Sequence, residues 1–139
     1  MTGLAIKPER RAVILLGAFY AVVGIVFATP TGHVRAWRLA AWIVSAAAFA
    51  AHVAYEHFKL RSSPRTRALH VGLGAALGAF GLAAGANVHS LVVGSSHAQR
   101  QLLLLALVSW PAMVFVPAFL AALGAGWVMA RFEPPQNRG

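Results

Sequence analysis

The residues best placed for chemistry form a polar stripe on one predicted helix. At about 100° per residue, Ser45, His52 and Glu56 fall on one helix face, within a sector of about 60°. A carboxylate beside a histidine inside a membrane can hold a proton or a polar ligand, and such buried ionisable groups are usually functional. We therefore predict ligand or proton binding at these three residues and at His70, which follows the next turn.

A structural interpretation of the same stripe stays open. Glu56 lies close to the end of its apolar block, where a carboxylate can reach the membrane surface and pair with Lys59 three residues further on. Such a pair stabilises an exposed helix by only about 0.2–0.5 kcal/mol. His52 lies one turn deeper, and the sequence alone does not decide between the two interpretations for it.

The histidines also allow a haem interpretation, whereas the residues needed for other catalytic chemistry are mostly absent from the sequence. His52 or His57 could ligate a b-type haem together with His70, because the hairpin places them near the same membrane surface. The chain has no Asp, no Cys and neither the HExxH nor the HxxEH pattern. We predict no catalytic residue and no metal site, and an enzyme is the less favoured class.

Composition predicts an integral membrane protein. Apolar residues make up 59% of the 139 residues and charged residues 11%. A bilayer core about 30 Å thick needs roughly 20 apolar helical residues. Four blocks meet or approach this length, and the chain left over is too short for a second domain. The prediction is an all-α membrane domain over 1–139, a bundle with spans at about 12–29, 39–58, 68–93 and 102–130.

The charge distribution predicts orientation rather than a nucleic-acid partner. The net charge is +9, but Lys and Arg lie at the ends of apolar blocks. Nine of the twelve Lys and Arg residues belong to the N-terminal segment 1–11, the loop 59–67 and the C-terminal tail. We expect the tail to be disordered over 132–139. The positive-inside rule then places both termini and this loop in the cytoplasm, at the cytoplasmic (inner) membrane. The expected partners include anionic lipid headgroups at that face.

Small residues predict where helices pack. Gly is poor for helix formation in water but allows close backbone approach in lipid. The motif LGAFxxxxG occurs twice, at 16–24 and 77–85, and is compatible with two tandem helical hairpins. A bundle of this size encloses little volume, so we expect a homo-oligomer or a subunit of a membrane complex. The predicted packing positions are Gly74, Gly78, Gly81 and Gly85.

Individual residues predict where the third helix begins and where the fourth helix bends. Thr66 is the predicted N-cap of the third helix. Pro111 and Pro117 lie within the fourth block, and a proline inside a helix removes a backbone hydrogen bond and favours a kink. A kinked helix can line a cavity.

Together these features favour a non-enzymatic membrane protein. It would bind a lipid or another hydrophobic ligand, or serve as an accessory or transport subunit. Its polar locus would lie at the cytoplasmic end of the second and third helices. The alternative is a haem-binding electron-transfer subunit that uses His52 and His70.

Overall fold

The computed structural model describes residues 7–28, 34–94 and 96–132. Within them the chain forms four helices, α1 (Pro8–Ala28), α2 (Val34–Phe58), α3 (Pro64–Val93) and α4 (His97–Phe132). The predicted all-helical bundle is confirmed. Phe132 ends α4, and the rest of the predicted disordered tail lies outside the described residues.

The turn between α2 and α3 is shorter than the predicted loop 59–67. Helix α3 begins at Pro64, because proline fits the first helical position and the Ser63 side chain caps the helix by accepting a hydrogen bond from the backbone N–H of Thr66 at 3.3 Å. Thr66 was therefore the wrong choice of N-cap. The predicted cap lies three residues too far along the chain because the helix incorporates the basic segment that follows Pro64.

The described helices are compatible with a membrane protein. Three of them are long and apolar enough to cross a bilayer, at Arg35–Phe58, Pro64–Val93 and His97–Phe132. Helix α1, with Glu9 in its first turn, is not among the three. Large apolar side chains face outward, with Trp42 76% and Val92 81% exposed, while the buried set includes charged and polar groups. This distribution is the reverse of that in a water-soluble domain.

Helix α3 occupies the centre of the bundle and packs most extensively against α4 and α1. Helices α1 and α3 run in the same direction, since Gly17 faces Leu77 and Gly24 faces Leu82. A Cβ on Gly17 would lie 2.6 Å from the Leu77 Cβ. The two copies of the LGAF motif therefore contact each other directly.

The predicted packing glycines do not share one environment. Gly74, Gly78 and Gly81 lie against α1, and a Cβ on Gly78 would overlap Tyr20. A Cβ on Gly81 would lie 2.8 Å from the Ala21 Cβ. At Gly85, in contrast, nothing lies within 4 Å of the Cβ position.

Helix α4 is held to α3 at both ends. At one end, the Asn87 side-chain amide donates to the carbonyls of Ala83 and Leu103, each at 2.8 Å. At the other end, Val53, Ala68, Val71 and Ala122 form a small apolar core between α2, α3 and α4.

Helix α2 packs least against the rest of the bundle. It contacts α3 around Glu56, beside the turn, and we call this the closed end. Farther from the turn, a cavity lies between α2 and the other three helices, and we call this the open end.

Candidate functional site

A fully buried carboxylate is the centre of the closed end. Glu56 lies in the last turn of α2 and its exposed fraction is 0%. Its two oxygens have different partners: Oε2 accepts from the Ser62 hydroxyl at 2.7 Å, and Oε1 lies 3.0 Å from His70 Nδ1. The carboxylate is thus shared between α2, the turn and α3.

The path of the turn brings Ser62 to Glu56. Arg61 has a left-handed backbone with φ of 47°, which reverses the chain immediately after α2. The Ser62 backbone N–H then donates to the Glu56 carbonyl at 3.2 Å, in addition to the bond from its hydroxyl. Ser62 therefore holds both the main chain and the side chain of Glu56.

Two histidines approach the same carboxylate oxygen. His70 Nδ1 lies 3.0 Å and His52 Nε2 lies 3.8 Å from Glu56 Oε1. The His52 ring is only 2% exposed and packs over Gly74, whose Cβ position is 3.6 Å from His52 Cε1. Neither His52 nitrogen has a hydrogen-bond partner among the described residues. His52 therefore lies beside the carboxylate without a hydrogen bond to it.

A buried arginine completes the closed end. Arg67 is 4% exposed, and its Nη2 donates to the Ser62 carbonyl at 3.2 Å. Its Nη1 lies beside Gly126 of α4, 3.5 Å from the Cβ position there. In the described part of the chain, Nε and Nη1 have no hydrogen-bond partner. Arg67, near the start of α3, thereby contacts both the turn that holds the carboxylate and helix α4.

The structure brings together three of the four predicted site residues, His52, Glu56 and His70. Ser45 is separate: it precedes His52 by seven residues, or about 10 Å of helix, and lines the cavity at the open end. Lys59, the alternative partner of Glu56, is exposed at the surface. The described contacts of the carboxylate lead to the turn and to α3 instead.

Ser62 and Arg67 are members of this cluster that the sequence did not predict. Both belong to the basic segment 59–67, in which a serine indicates only chain reversal and an arginine only membrane orientation. The available signal was the short distance along the chain between Glu56 and the turn. The His57 ring, in contrast, packs edge-on against Phe58 with centroids 4.7 Å apart.

The geometry does not fit the alternative in which His52 and His70 ligate a haem. An iron bound by His52 and His70 would require the macrocycle to lie between the two rings. The Glu56 carboxylate occupies that space, because both rings approach its Oε1. Among the described residues, no group of three or more acidic or histidine side chains has an arrangement that would hold a metal ion.

The open end contains a cavity of about 680 Å³ to which all four helices contribute. Helix α2 lines it from Arg38 to Phe49, and α4 lines it from Trp110 to Ala121, including Pro117. Its wall is almost entirely apolar, with hydroxyls from Ser45 and Tyr20. This volume is within the range of about 300–1,000 Å³ typical of small-molecule sites.

A second depression, of about 560 Å³, lies on α4 alone and is therefore a feature of the outer helix surface. Trp127 and Arg131 line it, with the guanidinium 5.3 Å from the ring centroid. Because a single helix forms it, this depression offers less enclosure than the cavity between the four helices.

No protein-family model, curated protein or solved structure matches the chain. Two features of the molecule bear on function: a buried polar cluster at the closed end and an apolar cavity at the open end.

Proposed function

We propose that this protein is a non-enzymatic integral membrane protein whose cavity binds a lipid or another hydrophobic ligand. The cavity of about 680 Å³ at the open end carries the proposal. An apolar wall with a few polar groups is the usual character of a site for hydrophobic molecules. An accessory or transport subunit would present its ligand from the same cavity.

The proposed topology has four spans with both termini in the cytoplasm. It is supported by the outward-facing apolar side chains and by the basic residues that cluster around the turn between α2 and α3. In this orientation the closed end lies at the cytoplasmic face of the inner membrane. Lys59 and Arg61, both exposed in the turn, would contact anionic headgroups there.

The polar cluster positions one wall of the cavity. Helix α2 makes few contacts elsewhere, so the bonds of Glu56 with Ser62 and His70 hold α2 against α3. Phe49 lines the cavity and also packs on the apolar core next to the cluster.

Filling the cavity tests the proposed function. Ala46 lines the cavity, whereas its neighbour Ala47 does not, and both are exposed positions on α2. Lipids that co-purify with the protein are measured by mass spectrometry after extensive detergent washing. Ala46→Phe should reduce the retained hydrophobic molecule about tenfold, a change of about 1.4 kcal/mol in binding free energy. Ala47→Phe should leave it unchanged, and equal retention in all three proteins would contradict the proposal.

The topology has an independent test, because the chain contains no cysteine. Lys59→Cys introduces a single thiol in the turn between α2 and α3, and His97→Cys introduces one at the start of α4. In intact spheroplasts a membrane-impermeant maleimide should modify His97→Cys but reach Lys59→Cys only after lysis. The opposite pattern would reverse the orientation, and labelling of both before lysis would exclude α3 as a span.

A further inference from the structure

The cavity has a positive charge at one end only. Arg38 lies near the start of α2, and among the described residues that line the cavity it is the only one with a charge. Its side chain is exposed, so the guanidinium can reach a group at the cavity mouth. Glu56 lies 18 positions further along α2, about 27 Å of helix, and Glu9 belongs to the first turn of α1. Neither carboxylate competes with a ligand for Arg38.

The shape of the cavity suits a chain rather than a compact molecule. Along α2 its lining extends from Arg38 to Phe49, a rise of about 16 Å. The lining between these positions includes Trp42 and Ala46, and α4 contributes Met113 on the opposite side. A long apolar compartment with one cation at its mouth matches a molecule with one apolar tail and one anionic head.

We propose that the cavity binds a long-chain fatty acid, with its carboxylate on Arg38 and its acyl chain toward Phe49. This inference rests on the proposed function, because it names the class of ligand in the same cavity. A guanidinium binds a carboxylate through two parallel N–H···O bonds, a geometry that a neutral alcohol cannot match. A volume of about 680 Å³ accommodates one acyl chain better than a two-chain phospholipid.

Tryptophan fluorescence provides a direct readout. Trp42 and Trp110 line the cavity, whereas Trp37 and Trp127 do not. In the background Trp37→Phe/Trp127→Phe, the remaining fluorescence therefore reports on the cavity. Purified protein in detergent is titrated with dibrominated stearic acid, with dibrominated stearyl alcohol and with brominated phosphatidylcholine, since bromine quenches tryptophan on contact. The pH is chosen so that the free acid is ionised.

The acid should reach half-maximal quenching at a concentration about tenfold lower than the alcohol, which corresponds to about 1.4 kcal/mol. Arg38→Gln should remove this difference, because it should weaken the binding of the acid and leave the binding of the alcohol unchanged. The matched control Arg35→Gln, an exposed residue one turn earlier that does not line the cavity, should preserve it.

The other outcomes separate the two proposals. Equal quenching by acid and alcohol, unchanged in Arg38→Gln, overturns the fatty-acid inference but leaves a hydrophobic ligand site. Equal or stronger quenching by brominated phosphatidylcholine also overturns it and identifies bilayer lipid as the occupant. If no compound quenches saturably and Ala46→Phe changes nothing, the proposed function itself fails.

Discussion

The two ends of α2 are held in different ways. At the closed end, hydrogen bonds join Glu56 to the turn and to α3, and Val53 belongs to the apolar core. At the open end, α2 faces a cavity of about 680 Å³. The contrast shows that a short turn and one buried carboxylate fix a helix at one end without closing its whole length against the bundle.

The sequence of α2 explains why its open end is not closed by backbone packing. Helices α1 and α3 approach closely through glycines such as Gly17 and Gly78, whereas α2 contains no glycine at all. On α2 the cavity wall includes the bulky side chains of Trp42 and Phe49. The small residues of α2 are alanines and Ser45, and the hydrogen bond that joins α2 to α3 lies at the closed end.

Removing the central carboxylate should break the closed end. Glu56→Ala leaves the Ser62 hydroxyl and His70 Nδ1 without their shared acceptor group. A buried donor that loses its partner costs about 1–3 kcal/mol, so the two donors together cost about 2–6 kcal/mol. We expect the free energy of unfolding, measured by denaturant titration in mixed micelles, to fall by this amount.

Glu9→Ala is the control for this prediction. Glu9 lies in the first turn of α1, where a carboxylate stabilises the helix dipole by about 0.3–1 kcal/mol. Equal losses in the two variants would show that Glu56 does not hold α2 in place.

A smaller effect should follow from crowding the contact between α1 and α3. A Cβ at Gly78 overlaps Tyr20, so Gly78→Ala must push the helices apart, at a cost of about 1–3 kcal/mol. Gly85→Ala meets nothing within 4 Å and should be neutral or stabilising by about 0.5–1 kcal/mol, because alanine is the better helix former. Thermal unfolding of the pair measures the difference, and equal shifts would argue against the close approach.

The smallest expected effect concerns the turn itself. Ser63 caps α3, and Ser63→Ala should lower the free energy of unfolding by about 1 kcal/mol. Thr66→Ala, at the position favoured by the sequence alone, removes only an exposed hydrogen bond between the Thr66 and Ser63 hydroxyls and should lower it by about 0.5 kcal/mol. A larger loss in Thr66→Ala than in Ser63→Ala, measured in the same unfolding titration, would move the helix start to the position predicted from sequence.

The helices and part of the polar cluster follow from the sequence in physical terms. Apolar blocks predict the helices, and the four-residue spacing of His52 and Glu56 places both on one face. The position of His70 beside them can also be predicted, because a short turn returns the chain to the same end of the bundle. These inferences need only local periodicity and chain connectivity.

The remaining features depend on geometry that the sequence does not encode locally. Ser62 reaches Glu56 only because Arg61 adopts a left-handed conformation, which the residue type alone does not favour. The cavity depends on the relative positions of all four helices. Ser45 shares a helix face with Glu56, yet it lines the cavity at the open end and does not join the polar cluster. The helical angle places both residues on one face, but the distance along the helix axis separates them.

The parallel contact between α1 and α3 has a consequence for biogenesis. In the proposed topology α1 enters the membrane first, but its glycine-mediated partner follows roughly 60 positions later, from Gly17 to Leu77. Glu56, in contrast, meets His70 after only 14 positions. In that topology α1 therefore lacks its main packing partner until α3 has been inserted, and its insertion is separated in time from its packing against α3.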